Sequence, residues 1–330
     1  VIGWALVIAL ACGCGAARPD GASTRETMQA DPRYDFLLGE TRAIYRAHVH
    51  ADPARVALVR AALARDARPE VRRNAIVALT AAQQAAAVPD YIAALDDAAP
   101  VVAAEASAAL AVFGPARLSE PASEPALAAL RAHAARLRAL LGAPEETVRF
   151  DALAGLTAIA DPEVPLAAVL GDASALIRRQ ALELAGARTL GAADVAALGA
   201  FAASDPDAEL RVRAVNLVVS SAPQLAAPVV VAALARGDAD RSTASLVADA
   251  GLVALVPAIL AYLKANPREP YFFATLAAFG ATCAAPTIAQ LAHGPWSEAF
   301  AIDALAKLSG HPDWPTERLL AWASAQPPCP

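Results

Sequence analysis

The stretches "VRRNAIVAL" (Val71–Leu79) and "VRFDALAGL" (Val148–Leu156) decide the fold, because they recur. A branched apolar residue is followed by arginine, then by alanine, then by apolar residues at helical spacing. The pattern returns as "VAAEASAAL" at Val102–Leu110, "IRRQALELA" at Ile177–Ala185 and "LRVRAVNLV" at Leu210–Val218. Weaker copies lie near Ala244, Ala274 and Ala301. The landmark alanines Ala75, Ala106, Ala152, Ala181, Ala214, Ala244, Ala274 and Ala301 are spaced by 31, 46, 29, 33, 30, 30 and 27 residues. Within one copy, Val71, Ala75, Ile76 and Leu79 share a helical face.

A second landmark follows most of these alanines: proline ahead of an apolar helix. It reads "VPDYIAAL" at Val88, "VPLAAVL" at Val164, "APVVVAAL" at Ala227, "VPAILAYL" at Val256, "APTIAQLA" at Ala285 and "WPTERLLAWA" at Trp314. Pro228, Pro257, Pro286 and Pro315 are each 29 residues apart. Each suits the first turn of a helix, where the missing N–H is not needed. Asp66, Asp97, Asp172 and Asp205 precede the first helix of their copies and can turn or cap the chain there. The unit is thus helix A, short turn, helix B. One pair cannot bury its apolar face alone, whereas stacked pairs share a continuous core.

The period of about 30 residues, the V-R-x-x-A helix A and the proline-led helix B resemble the short bacterial HEAT-like repeats of the PBS-lyase type, over about residues 52–325. The resemblance implies an all-α fold, a right-handed α-solenoid of about eight A–B repeats. The expected organisation is a signal segment at 1–14, a tether at 15–35, the solenoid at 36–325 and a tail at 326–330. The 46-residue spacing places a proline-rich loop insertion at 115–125, inside the second repeat.

Composition narrows the function. Alanine makes up 92 of 330 residues, and net charge is −6. Small helix formers suit closely packed helices. The acidic balance argues against a generally basic nucleic-acid surface. No Walker loop, GxGxxG, GxSxG or HExxH pattern is present, and no paired Cys-x-x-Cys points to zinc. His48 and His50 lie two apart, which on a helix points them to different sides. The expectation is no catalytic residue, no metal and no cofactor. The iron-binding HEAT hydroxylases use His-Glu pairs, and this chain has no His-Glu dipeptide.

Charge and aromatic clusters each admit a binding and a structural reading. Arg72, Arg149, Arg178 and Arg211 recur at one repeat position, where pairing with turn acids or carbonyls of the neighbouring repeat is favoured over a basic ladder. Arg131, His133, Arg136 and Arg138 fall on the expected B helix of the second repeat, beside the insertion, and form the candidate partner-binding patch. Tyr271, Phe272, Phe273, Phe279, Trp296, Phe300, Trp314 and Trp322 crowd the C-terminal end, where filling the last part of the core is favoured over an anchor surface. Cys283 and Cys329 are expected at opposite edges of the array, so pairing would need the tail to fold back within the ~7 Å Cα limit.

The N-terminal "VIGWALVIALACGCGA" passes seventeen residues before its first charge at Arg18. Its apolar part is too short for a span. "ALAC" at Ala9–Cys12 resembles a bacterial lipobox, which implies lipidation at Cys12 and export; a cleaved secretory signal and a buried first helix are the alternatives. The combined expectation is an exported, membrane-anchored lipoprotein, a non-enzymatic scaffold that binds another protein, with no nucleic acid and no small-molecule substrate. The rivals are a lyase- or chaperone-like subunit of an enzyme complex, and a nucleic-acid-binding HEAT protein.

Overall fold

The computed structural model describes residues 31–39, 53–81, 85–112, 123–292 and 295–329. Among these, all regular structure is helical. The chain divides into two compact units. The first holds α1 (Phe36–Gly39), α2 (Pro53–Arg65), α3 (Pro69–Ala81), α4 (Val88–Ala94), α5 (Pro100–Val112), α6 (Ser123–Ala132), α7 (Ala134–Leu140) and α8 (Glu146–Ala158). α9 (Leu166–Leu170) belongs to the second unit, while α10 (Ala175–Ala187) returns to the first. The second continues with α11 (Ala192–Ser204), α12 (Ala208–Ser221), α13 (Pro223–Arg236), α14 (Arg241–Asp249), α15 (Val256–Ala265), α16 (Tyr271–Ala278), α17 (Ala285–Leu291), α18 (Pro295–Ser309) and α19 (Thr316–Ser324).

Inside each unit the helices pack in two rows. In the first, α3, α5, α8 and α10 pack in succession as an A row, and α2, α4 and α6 pack in succession as a B row. In the second, α12, α14, α16 and α18 form the A row, and α9, α11, α13, α15, α17 and α19 the B row. No described helix is long and apolar enough to cross a membrane.

The landmark alanines explain the close A-row packing. Ala75, Ala106, Ala152, Ala181, Ala214 and Ala301 are fully buried, and Ala244 nearly so. Ala274 is the exception: it is exposed, and the buried position passes to Thr275, whose hydroxyl donates to the Ala244 carbonyl at 2.8 Å. Comparable polar bonds join other neighbouring A-row helices. Ser107 donates to the Asp151 carbonyl between α5 and α8, Gln180 to Thr157 between α8 and α10, and Thr243 to Asn216 between α14 and α12. Arg73 pairs with the buried Glu105 between α3 and α5. The buried Glu105, Ser107, Thr157, Gln180, Thr243 and Thr275 thereby each have a partner.

The recurring arginines are clamps. Arg72 Nη1 donates back to the carbonyls of Asp66 and Ala67 while Nε and Nη2 grip both oxygens of Asp97, at 2.7 and 2.8 Å. Arg149 repeats this on Ala143, Pro144 and Asp172, and Arg211 on Asp205, Pro206 and Asp238. Arg178 donates to the carbonyls of Asp172 and Ala173. The aspartates also organise their own turns: Asp97 accepts from the Ala99 amide and Asp172 from the Ser174 amide. Burial works to raise the Asp97 and Asp172 carboxyls, but the guanidiniums and turn amides outweigh it and hold both below the usual 3.8.

Three details differ from the sequence pattern. Pro223 leads α13, so Pro228 sits inside the helix. It is exposed, which leaves water free to serve the carbonyl its missing N–H would have bonded. The stretch assigned to the insertion at 115–125 ends in helix: Ser123 opens α6 and is buried. Residues 115–122 lie outside the described residues, as do Cys12, His48 and His50. Finally, Cys283 and Cys329 are disulfide-bonded, with Cα atoms 4.7 Å apart. Cys329 lies five residues beyond α19, which has nine residues. The chain turns at Ala325 and Gln326, whose amides bond the carbonyls of Trp322 and Ala323, and Pro327–Cys329 brings the sulfur to Cys283.

Four of the A-row helices share a terminator. Gly251, Gly280 and Gly310 follow α14, α16 and α18 with φ of 64°, 64° and 72°. After α8 the left-handed position is held by Ala160, at φ 50°. A Cβ there is costly, so Ala160→Gly is expected to stabilise the chain by about 1 kcal/mol, read as a raised urea midpoint.

Arg149→Met leaves the nearly buried Asp172 without its guanidinium and is expected to cost roughly 1–3 kcal/mol. Because folding lowers the Asp97 and Asp172 pKa values, their contribution is fully present above about 3.8 and is lost as pH falls through the lower folded values. Thermal melts from pH 6 down to pH 2 should show this loss, and R149M should lose the part carried by Asp172.

Candidate functional site

The patch expected on the second B helix is placed on two helices, α6 and α7, separated at His133. Its members are engaged within the chain. Arg131 lies 3.5 Å from Glu124, both exposed. His133 Nδ1 is 2.8 Å from the Ala129 carbonyl, so this nitrogen carries a hydrogen, and Nε2 lies 3.2 Å from Asp96. Arg136 donates to the Asp97 carbonyl and stands 4.0 Å from Asp96. Arg138 pairs with Asp161 at 2.7 Å and with Glu163 at 2.6 Å. His133, Arg136 and Arg138 therefore splint α6 and α7 to the turns after α4 and α8. A partner would have to displace these bonds before meeting the charges.

A different surface stands out in the second unit. α11, α13 and α15 are consecutive members of its B row. Gly199 of α11 sits where a Cβ would come 3.2 Å from Val229 of α13, which lets the two helices approach closely. Across the three helices only Asp194, Arg236 and Lys264 carry charge, and each lies in a terminal turn. Asp194 accepts from the Gly191 amide, and Arg236 is bound to Asp238 and the Ala202 carbonyl.

The outward face of this row is apolar. On α13, Leu225, Pro228, Val231, Ala232 and Ala235 are exposed, and on α11, Ala196, Ala200 and Ala203. On the α15 side, Val253, Ala254, Pro257 and Ala261 are exposed. Leu225, Val231 and Val253 show 42%, 44% and 53% of their surface, so large side chains stand proud of a small-residue floor. The turn carrying Val253 packs against α13. The A-row helices α10 and α12 differ, each carrying two arginines and one glutamate, whereas α16 of the A row carries no charge.

The C-terminal aromatics split between roles. Phe272 and Phe273 are buried, and Phe272 meets Tyr262 edge-to-face at 5.4 Å. Tyr271 and Phe300 remain exposed and pair edge-to-face at 6.5 Å. Trp314 stacks on His311, and the Arg318 guanidinium lies 4.1 Å from its ring. Trp296 falls in α18, and its side chain lies outside the described residues.

Among the described residues, no group of three or more His, Cys, Asp or Glu is placed to hold a metal. An open depression of about 360 Å³ is lined by Ala208, Glu209, Val212, Arg213, Asn216 and Asp240. Its Asn216 and Asp240 already bond each other and Thr243. It offers no paired nucleophile and base.

The apolar row escaped the sequence reading because alanine-rich helices look alike whether buried or exposed. The available signal was the distribution of charge helix by helix. No protein-family model and no curated protein sequence matches the chain.

Proposed function

We propose that the chain is a HEAT-like helical-repeat scaffold of about eight A–B pairs that binds another protein and carries out no chemistry of its own. The observation that carries this reading is the exposed, largely apolar row of α11, α13 and α15, whose charges are confined to terminal turns. Burying such a face releases water at roughly 25 cal/mol per Å² of apolar surface. Large exposed apolar surfaces mark interaction sites. A charged partner would lose hydration there without gaining a counter-charge. The fitting partner is the apolar face of an amphipathic helix, laid across the floor of alanines between the projecting Leu225, Val231 and Val253.

The proposed address is the cell envelope, with the chain exported and lipid-anchored at Cys12. The Cys283–Cys329 disulfide supports an oxidising compartment, where such bonds persist.

Capture from detergent-solubilised membranes tests the surface. The triple variant Leu225→Asp, Val231→Asp, Val253→Asp is expected to keep its circular dichroism and melting temperature and to lose at least ten-fold of the captured partner. Full capture by the folded triple variant would rule this face out. Recovery of lipid alone would replace the protein partner with a membrane surface. For the anchor, metabolic labelling with a palmitate analogue should mark the wild type and spare Cys12→Ala; equal labelling of both would exclude Cys12.

A further inference from the structure

The C-terminal end carries a device that the scaffold reading does not use. Helix α19 packs on α17 and α18 only from one side, and it buries just Leu319 and Ala323 fully. Beyond it the tail turns back through Ala325 and Gln326, whose amides bond the carbonyls of Trp322 and Ala323. Pro327 and Pro328 have no N–H to donate. The next attachment is covalent. Cys329 is bonded to Cys283, in the short 3-10 turn Thr282–Ala284 that leads into α17. Both cysteines are half-buried, so a small reductant can reach them.

The helices on which α19 packs bury apolar side chains. α18 buries Ala301, Ala304 and Leu305, and α17 buries Ile288. In stacked-helix proteins each element is held mainly by its neighbours, so one with few buried residues, such as α19, can open without unfolding the rest. A bond that ties the tail to the start of α17 opposes that opening by limiting how far α19 can move.

We propose that Cys283–Cys329 is a redox latch on α19. Oxidised, it keeps α19 docked over α17 and α18. A dithiol reduces it by thiolate attack on one sulfur, giving a mixed disulfide, which the second thiol of the reductant resolves. Two electrons and two protons pass to the pair, leaving two cysteine thiols and the reductant as its cyclic disulfide. The freed tail then lets α19 undock and uncovers the apolar strip of α17 and α18.

Hydrogen exchange followed by mass spectrometry on the full chain tests this, with and without dithiothreitol, and with reduction verified by alkylation of Cys283 and Cys329. Reduction is expected to raise exchange of Thr316–Ser324 at least ten-fold while α12–α15 keep their protection. Cys329→Ser should behave like the reduced wild type and show no response to dithiothreitol. Unchanged protection of α19 after verified reduction would overturn the latch. So would loss of protection throughout the second unit, which would make the bond a general staple. Recovery of Cys283 and Cys329 as free thiols from chain oxidised in vitro would overturn it as well. None of these outcomes bears on capture through α13, so the two readings fail separately.

Discussion

The architecture rests on one repeated contact, the arginine that opens an A-row helix. Its guanidinium reaches back to two carbonyls of its own turn and forward to an aspartate at the next turn. A planar fork with five donors can do both at once, and an ammonium cannot. The contact fixes the spacing between successive pairs, because the aspartate is itself locked by an amide two residues on. With the register set this way, helices can meet through alanine, where side-chain shape alone specifies little. The polar seam of Ser107, Thr157, Asn216 and Thr275 adds a second constraint, since any slide along the A row would leave a buried hydroxyl or amide unpaired.

This use of charge has a consequence for binding. Arginines that splint turns are engaged within the chain, as Arg136 and Arg138 are on the turns after α4 and α8. The exposed row of α11, α13 and α15 carries charge only in its terminal turns, at Asp194, Arg236 and Lys264. α13 carries a proline in its middle: the exposed Pro228 adds a rigid apolar ring to the surface. Its neighbour α11 contributes Gly199 and a run of alanines, which keep the floor low around Leu225 and Val231.

Much of this was legible in the chain. Helix A and helix B could be placed from the alanine and proline landmarks, and the arginine position pointed to turn acids before any geometry was known. The failures have physical causes. Pro228 matches the 29-residue step of its successors, but Pro223 competes for the helix start and wins because it stands directly after the A-row helix ends at Ser221. Ala274 looks like the landmark of its copy, yet the turn through Pro270 shifts the buried face by one residue to Thr275. The pairing of Cys283 with Cys329 depended on the path of a tail that contains no helix signal.

The C-terminal part shows what replaces the clamp where it stops. Beyond Asp238 no arginine–aspartate pair of this kind is present among the described residues. Tyr262 takes over part of the task, with its hydroxyl 3.3 Å from the Ala239 carbonyl and bonded to Glu269. Burial, with the Glu269 carboxylate beside it, pushes that phenol well above its ordinary range, so it stays a neutral donor. Phe272 and Phe273 fill the volume that alanines leave elsewhere. These devices are apolar or neutral, and they act by area and shape, without fixing direction as the bidentate clamp does. A terminal helix held only in this way has one packed side and few buried atoms. A covalent bond across it supplies the directional constraint that the arginines give to the earlier turns.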